Sequence, residues 1–439
     1  MDPRTTTTRI GNNDVDLRRI QRRIITALAV GQILGGIGTG ATLSLGALLI
    51  VQVSGSTAWS GMAATAGTLG AALFAIPLAR LARSKGRRSS LTTGAVVATL
   101  GGLLVIAAAS LVSFPLLLIG MTLMGAAAAL NLQARFAATD LAADAKRGRD
   151  LSLVVWSTTF GVLLGPNLFE PGEMLGAWAG LPTLTGGFAI SVLAQIVGIA
   201  VYLICLRPDP LLTAAAILPL EAEGDEPAGK PRRALSILRS NPAARRAVIT
   251  IALSHTVMVS LMGMTPVHMT GHGSSLSIVG FTISLHLAGM NALAPIFGWL
   301  TDKWGGRLVV LLGQGMLAAA LIIGVFAAHS MTGVTVSLIF LGLGWSASTV
   351  AGSTLVTRSV ATQNQPQIQG LSDALMNVAG AAGGALAGPI LAVIAFQGLS
   401  GVLLVLVLAV VALQLRAIAK PTSAATPEPV VTEPAPSEK

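Results

Sequence analysis

Twelve long apolar segments divide this sequence, and they leave few folds open to it. They are 24–52, 58–80, 91–112, 115–138, 151–168, 184–206, 247–270, 276–300, 308–328, 334–357, 371–396 and 399–417. Segments of about 20 residues are long enough for an α-helix to cross the roughly 30 Å hydrocarbon core of a bilayer. Only 10% of the 439 residues are charged, against roughly a quarter in soluble proteins. We therefore predict an all-α protein with twelve transmembrane helices, embedded in a lipid bilayer.

The positive charges lie on one side of this predicted bundle. All 28 lysines and arginines fall in the N-terminal arm, in alternate connections or in the tail, and none falls in the other connections. Because positively charged loops stay in the cytoplasm, we expect both termini to be cytoplasmic. The net charge of +10 is then explained by membrane orientation, and nucleic acid is not an expected partner. The single cysteine, Cys205, excludes a disulfide within the chain.

Two six-helix halves repeat each other. The segments 83–88 and 302–307 align at an offset of 219, and Arg135 aligns with Arg358 at an offset of 223. Parallel six-helix repeats are typical of secondary transporters whose site lies between the halves near the membrane midplane. The predicted organisation is a cytoplasmic arm (1–23), a first half (24–206), a flexible cytoplasmic linker (207–246), a second half (247–417) and a disordered cytoplasmic tail (418–439).

Histidine and methionine are concentrated at the start of the second half. Four of the five histidines and five of the thirteen methionines lie between His255 and Met290. Two pairs are spaced i, i+4 and so share a helix face: Met258 with Met262, and His286 with Met290. Counting along the two antiparallel helices places the pairs at equal depth near the membrane centre. Thioether and imidazole groups suit Cu(I), so the sequence predicts a copper site formed by these four residues.

Further candidate ligands extend this path in both directions. His255 continues the face of Met258 toward the cytoplasm, while Met264, His268, Met269 and His272 lie at the outer end, where they could line an access path. At an offset of 219, the first half has Thr39, Leu43, Gly67 and Ala71 in place of the four predicted ligands. The shared scaffold therefore does not require sulfur or imidazole at these positions.

The same side chains also fit purely structural roles. Methionine at helical spacing commonly fills gaps in an apolar core, and a membrane histidine can be a hydrogen-bonded structural residue. His268, Met269 and His272 fit ordinary packing, and we expect His329, Glu170 and Glu173 to lie in solvated outer loops.

The lack of charged residues in the predicted spans limits which ions the predicted site could bind. Between Arg246 and Asp302 there is no charged residue, and no carboxylate is expected deep in any other span. Carriers driven by protons commonly use such a carboxylate. Hard divalent cations prefer oxygen ligands, and Zn²⁺ prefers more histidine or cysteine. Cu(I) fits the remaining groups best.

Two motifs resemble known families. The run from Gly298 to Arg307 (GWLTDKWGGR) resembles the cytoplasmic loop signature of the major facilitator superfamily, and the first copy departs from it because Arg83 stands where that family has aspartate. The Met-x-x-x-Met and His-x-x-x-Met pairs resemble those of the CcoA-like copper importers, bacterial inner-membrane proteins that supply copper for cytochrome oxidase assembly.

The resemblance implies a monomeric transporter in the bacterial inner membrane. It would import copper, as Cu(I) or a small copper chelate, by alternating access. It would not be an enzyme and would hold no tightly bound cofactor. The residues matching the loop that gates the cytoplasmic side are Gly86, Arg87, Asp302, Lys303, Gly305 and Arg307.

Two rival functions remain. The first is a proton-coupled small-molecule or drug exporter of the same fold, which the Gly-x-x-x-Gly-Pro motif from Gly161 to Pro166 favours. The second is a membrane sensor that binds metal without moving it.

Overall fold

The protein is described by a computed structural model that covers residues 3–142, 146–217, 231–361 and 364–419. In this part of the chain the regular elements are helices. The first half contains α1 (Pro3–Ser54), α2 (Met62–Ser110), α3 (Phe114–Met124), α4 (Ala126–Thr139), α5 (Arg147–Asn167), α6 (Phe169–Trp178) and α7 (Gly186–Cys205). Two short helices, α8 (Pro210–Ile217) and α9 (Pro231–Ser240), follow. The second half contains α10 (Pro242–Gly271), α11 (Leu276–Asn291), α12 (Ala294–Trp304), α13 (Gly306–Phe326), α14 (Met331–Arg358) and α15 (Gln365–Ala419).

Helices α2 and α15 are each two membrane-spanning segments joined at a break. The 49 residues of α2 would extend about 74 Å as one straight helix, more than twice the thickness of the hydrocarbon core. The backbone leaves helical geometry at Gly86 in α2 and at Ile394 and Ala395 in α15. We call the parts on either side of each break the first and second arms. With these divisions, and with α3–α4, α5–α6 and α11–α12 each taken as one segment, the described chain forms twelve apolar segments, as the sequence predicts.

The same backbone turn occurs in both halves. Gly86 has φ 86° and ψ 167°, and Gly305 has φ 85° and ψ 147°. These conformations are open to glycine and strained for other residues. The two glycines are related by the offset of 219 that aligns the sequence repeat, so the repeat is present in the backbone as well as in the sequence.

Some segments bend where the sequence predicts straight helices or loops. The axes of α5 and α6 differ by 58°. Helix α11 ends at Asn291, and α12 begins at Ala294 with Pro295 in its first turn. Helix α6 occupies the stretch expected to be a solvated loop. Its Glu173 carboxylate accepts hydrogen bonds from the backbone N–H groups of Leu184 at 2.8 Å and Gly186 at 3.0 Å. The expectation of a solvated Glu173 is therefore wrong, because unpaired N–H groups at the start of α7 bind this carboxylate.

The described parts of the arm, linker and tail are helical. Helix α1 begins at Pro3, and α15 continues to Ala419. In the linker, α9 packs through Ala234 and Leu238 into an apolar cluster with Ile251. The predicted flexible linker is thus replaced by helix on both sides of residues 218–230, which lie outside the described residues, as do residues 420–439 of the tail.

The halves meet at one end of the bundle. We call the end with Gly86 and Gly305 the basic end, since the arginines and lysines of the connections lie there, and the other the opposite end. Toward the opposite end, the Thr65 hydroxyl donates to the Ala381 carbonyl at 2.8 Å. On the other flank, the Asn167 amide donates to the Ser284 hydroxyl at 2.7 Å. The halves are therefore closed against each other at the opposite end.

Candidate functional site between the halves

Polar side chains line the facing helices toward the basic end. On α4, Asn131 is half-buried and Arg135, one turn further, is exposed. On the first arm of α15, Asp373 and Asn377 are both exposed and are also one turn apart. The face that carries them continues along α15 to Ala381, whose carbonyl is bound by the other half. Asp373 and Asn377 therefore face the first half.

Arg135 and Asp373 are opposite charges that attract each other across the two halves. They do not form a direct ion pair within 4 Å; the ion pairs found between described residues are Arg87–Asp140 and Arg358–Asp302. A charge that faces lipid is expensive, so these side chains indicate a water-filled space between the halves. Sequence reasoning missed both residues. The signal was available, because polar residues one turn apart in an apolar helix predict a polar face.

A hydrogen-bonded pair lies near the middle of the second half. The Trp345 indole N–H donates to His255 Nδ1 at 3.0 Å, and both side chains are half-buried. Gly380 of α15 makes room for the imidazole, since a Cβ there would lie 2.8 Å from His255 Nε2. Because indole N–H only donates, the neutral His255 ring carries its proton on Nε2. It therefore presents a hydrogen-bond donor. The role of His255 as a further metal ligand stays a prediction.

Three of the four predicted copper ligands are buried inside the second half. Met258 and Met262 lie in an apolar core with Leu317 and Leu321 of α13, and Met290 packs against the same core. His286 is fully buried. Its Nδ1 donates to the Leu338 carbonyl at 2.8 Å, and its Nε2 has no hydrogen-bond partner among the described residues.

Helix α14 packs against both α10 and α11, which contact each other only slightly. The close approach of α14 depends on Gly342, where a Cβ would lie 2.3 Å from the His286 carbonyl oxygen. His286 thus faces α14 within the second half. The shared binding of one copper ion by these four residues stays a prediction.

The residues predicted to form the outer access path are packed against one another. Met264 and Met269 are fully buried. His268 donates from Nε2 to the Ala328 carbonyl at 2.8 Å and stacks on Phe396 with ring centroids 4.3 Å apart. The His272 ring lies 4.3 Å from that of His268.

His329 extends this row of imidazoles. It is exposed, as predicted for a loop, but its ring lies 5.7 Å from that of His272. Among the described residues, no three His, Cys, Asp or Glu side chains are grouped so that they could hold a metal ion.

The predicted gating loops hold helix ends together within each half. In the first half, Arg87 forms a two-point ion pair with Asp140, at 2.9 and 3.2 Å. In the second half, Asp302 binds Arg358 at 3.1 Å, and Lys303 lies over the Trp299 ring at 4.9 Å. Gly86 and Gly305 provide the turns, and Arg307 lines a pocket at the basic end.

The sequence matches the Major Facilitator Superfamily over residues 28–285 and 249–438. It is 36% identical over 399 residues to the uncharacterised MFS-type transporter YdeG of Bacillus subtilis, covering 90% of this chain and 92% of that protein. It is 28% identical over 357 residues to the riboflavin transporter RfnT of Brucella anthropi, covering 81% of this chain and 85% of that protein.

Solved structures show the same fold. A bacterial homologue of the human lysosomal transporter Spinster, inward-facing and unoccupied, superposes with a TM-score of 0.64 at 17% identity, covering 91% of this chain and 96% of that one. The nucleoside transporter NupG superposes with a TM-score of 0.66 at 15% identity, covering 90% and 98%.

Proposed function

Because this chain belongs to the major facilitator superfamily, we propose that it is a secondary transporter that moves a small organic solute between its two halves by alternating access. The alternative to copper import that the sequence left open was a proton-coupled small-molecule or drug exporter of the same fold, and the present proposal keeps its class of solute. The basic end would face the cytoplasm of a bacterium, in keeping with the positive-inside rule.

One observation carries this proposal: Arg135 and Asp373 face a common space from opposite halves without a direct ion pair. Arginine and aspartate side chains that are not paired with each other can form charge-assisted hydrogen bonds with a charged or strongly polar solute. Deeper in the bundle, the half-buried Trp345 ring and the Nε2–H of His255 offer an apolar surface beside a hydrogen-bond donor. Such a combination suits an organic molecule with an apolar body and polar groups.

The relatives support an organic solute. One of them is named a riboflavin transporter, and riboflavin is therefore the first solute to test. The chain is 28% identical to that protein, so the proposal extends to amphipathic organic solutes as a class.

Uptake by membrane vesicles tests this proposal. Vesicles containing the unaltered protein, Arg135→Gln or Asp373→Asn are assayed with radiolabelled riboflavin and a panel of other amphipathic organic solutes. We expect transport of at least one solute and a loss of about ten-fold in both variants, the change that 1.4 kcal/mol of lost interaction produces. Arg80→Gln removes an exposed charge at the same end and should transport normally. Failure to transport any organic solute, or normal transport by both cavity variants, would contradict the proposal.

Copper import is the second candidate, and the His286 side chain favours it. A histidine that binds a metal usually donates its other ring N–H to a carbonyl or carboxylate. The Nδ1–H of His286 donates to the Leu338 carbonyl, which leaves a buried lone pair on Nε2 that no described residue binds. Met258, Met262 and Met290 belong to or contact the same core.

Radioactive copper in the same vesicles separates the two candidates. If copper is the substrate, Met262→Ala and His286→Ala should lose copper uptake while Met174→Ala, an exposed methionine on α6, retains it. If an organic solute is the substrate, copper uptake should equal that of vesicles without the protein, and neither variant should change it.

A further inference from the structure

Three arginines meet in a pocket at the basic end of the second half. Arg246 lies near the start of α10, Arg307 near the start of α13, and Arg358 at the end of α14. The pocket has a volume of about 230 Å³, and its other lining residues are Ala243, Ala247, Leu355, Ser359 and Gln414. No lining residue is acidic, so the pocket concentrates positive charge at the level where the spans end.

Few carboxylates of the described chain lie close enough to neutralise the charge of these arginines. Asp302 binds Arg358 at 3.1 Å, and both side chains are exposed. Among the described residues, no carboxylate lies within ion-pair distance of Arg246 or Arg307. Guanidinium groups that share a pocket repel one another. A bound anion would attract each of them and offset this repulsion.

In the first half, a carboxylate lies beside Gly86, which is the residue equivalent to Gly305. Asp209 lies directly against the Gly86 turn, and its carboxylate accepts a hydrogen bond from the Arg88 backbone N–H at 2.7 Å. Arg88 corresponds to Arg307 at the offset of 219. Around Gly305, by contrast, the space beside the backbone is open, and no side chain caps α13. The second half therefore has the same turn, but none of its described residues supplies an anion to the backbone there.

We propose that the pocket formed by Arg246, Arg307 and Arg358 binds a phosphate group, carried either by an anionic phospholipid head group or by free phosphate. Arginine presents a planar fork of donors that matches phosphate oxygens. Basic pockets between transmembrane helices at the cytoplasmic surface lie at the level of the lipid phosphates. This site is separate from the space between the halves, and its occupation does not depend on which solute the protein moves.

Native mass spectrometry of the purified full-length protein tests the proposal. The probes are phosphatidylglycerol, phosphatidylcholine and inorganic phosphate. We expect phosphatidylglycerol to bind about ten-fold more weakly to Arg246→Gln/Arg307→Gln than to the unaltered protein, since each variant position loses hydrogen bonds to a charged group. The matched control, Arg80→Gln/Arg83→Gln, removes the same charge from exposed positions in the first half and should bind normally.

Competition with inorganic phosphate distinguishes the two sources. If phosphatidylglycerol stays bound in excess phosphate, the ligand of the pocket is the lipid. If phosphate binds in the absence of lipid and this binding requires the arginines, the ligand is the free anion. Arg246→Lys/Arg307→Lys keeps the charge but loses the planar fork, so it should bind with intermediate affinity and provides the test if the glutamine variant fails to fold. An equal loss in the control variant, or unchanged binding of every probe in the pocket variants, would overturn the proposal.

Discussion

His255 on α10 and His286 on α11 are both histidines, but the ring proton lies on a different nitrogen in each. Trp345 donates to His255 Nδ1, so the neutral ring keeps its proton on Nε2. His286 donates from Nδ1 to the Leu338 carbonyl, so its Nε2 keeps a lone pair. The first histidine is therefore suited to donate to a solute, and the second to bind a metal. A single neighbouring group decides which chemistry each imidazole can perform.

Gly86→Ala tests the turn that both halves share. The backbone at Gly86 and Gly305 is strained for any residue with a Cβ, at a cost of about 1–3 kcal/mol. At Gly86 a Cβ would also lie 2.4 Å from the Asp209 carboxylate, whereas a Cβ at Gly305 would have no described atom within 4 Å apart from its chain neighbours. We expect Gly86→Ala to lower the free energy of unfolding more than Gly305→Ala does. Thermal unfolding of both variants in detergent measures this difference, and equal losses would show that Asp209 is not held against the turn.

At the scale of elements, the connection between α5 and α7 contains a helix, α6, where the sequence predicts a solvated loop. Glu173 on α6 accepts two backbone hydrogen bonds at the start of α7. Glu173→Ala should therefore destabilise the protein by about 1–2 kcal/mol, as loss of a helix cap commonly does. Met174→Ala changes the next, exposed residue on the same helix and should cost little. A melting temperature that falls equally in both variants would contradict the capping role of Glu173.

Hydropathy predicts the twelve segments, because burial in lipid demands long apolar helices. The aligned motifs predict the repeat. It does not predict the bend between α5 and α6 or the break before Pro295, because these depend on local backbone geometry within apolar sequence. Periodicity identifies which residues share a helix face, as for Met258 and Met262, but not which neighbouring helix that face meets. In the structure, α14 packs against both α10 and α11. This arrangement depends on the close contacts of Gly342 with His286 on α11 and of Gly352 with Ile251 on α10, which sequence spacing does not reveal.

The charged residues of the candidate site were missed for a related reason. Arg135 and Asp373 lie near the ends of predicted apolar segments, where charges are usually attributed to loops. Their importance comes from facing each other across two halves that are far apart in the sequence. Only the packing of the halves brings Arg135 and Asp373 to one space.

At the scale of the whole molecule, contact between the halves at the opposite end depends on Gly61. A Cβ added at Gly61 would lie 1.7 Å from the Gly384 carbonyl oxygen. The closed arrangement of this end therefore requires the absence of a side chain at Gly61. Gly67, on the same arm of α2, has open space around it and provides a matched control.

The distance between the halves at the basic end tests alternating access most directly. Spin labels on cysteines introduced at Ser84 and Gln369, both exposed, would report it by pulsed electron paramagnetic resonance in a Cys205→Ser background. Gly61→Val should shift the distances to shorter values, because it opens the opposite end and so closes the basic end, while Gly67→Val should leave them unchanged. A distance distribution in Gly61→Val identical to that of the unaltered protein would contradict movement of the two halves about a central site.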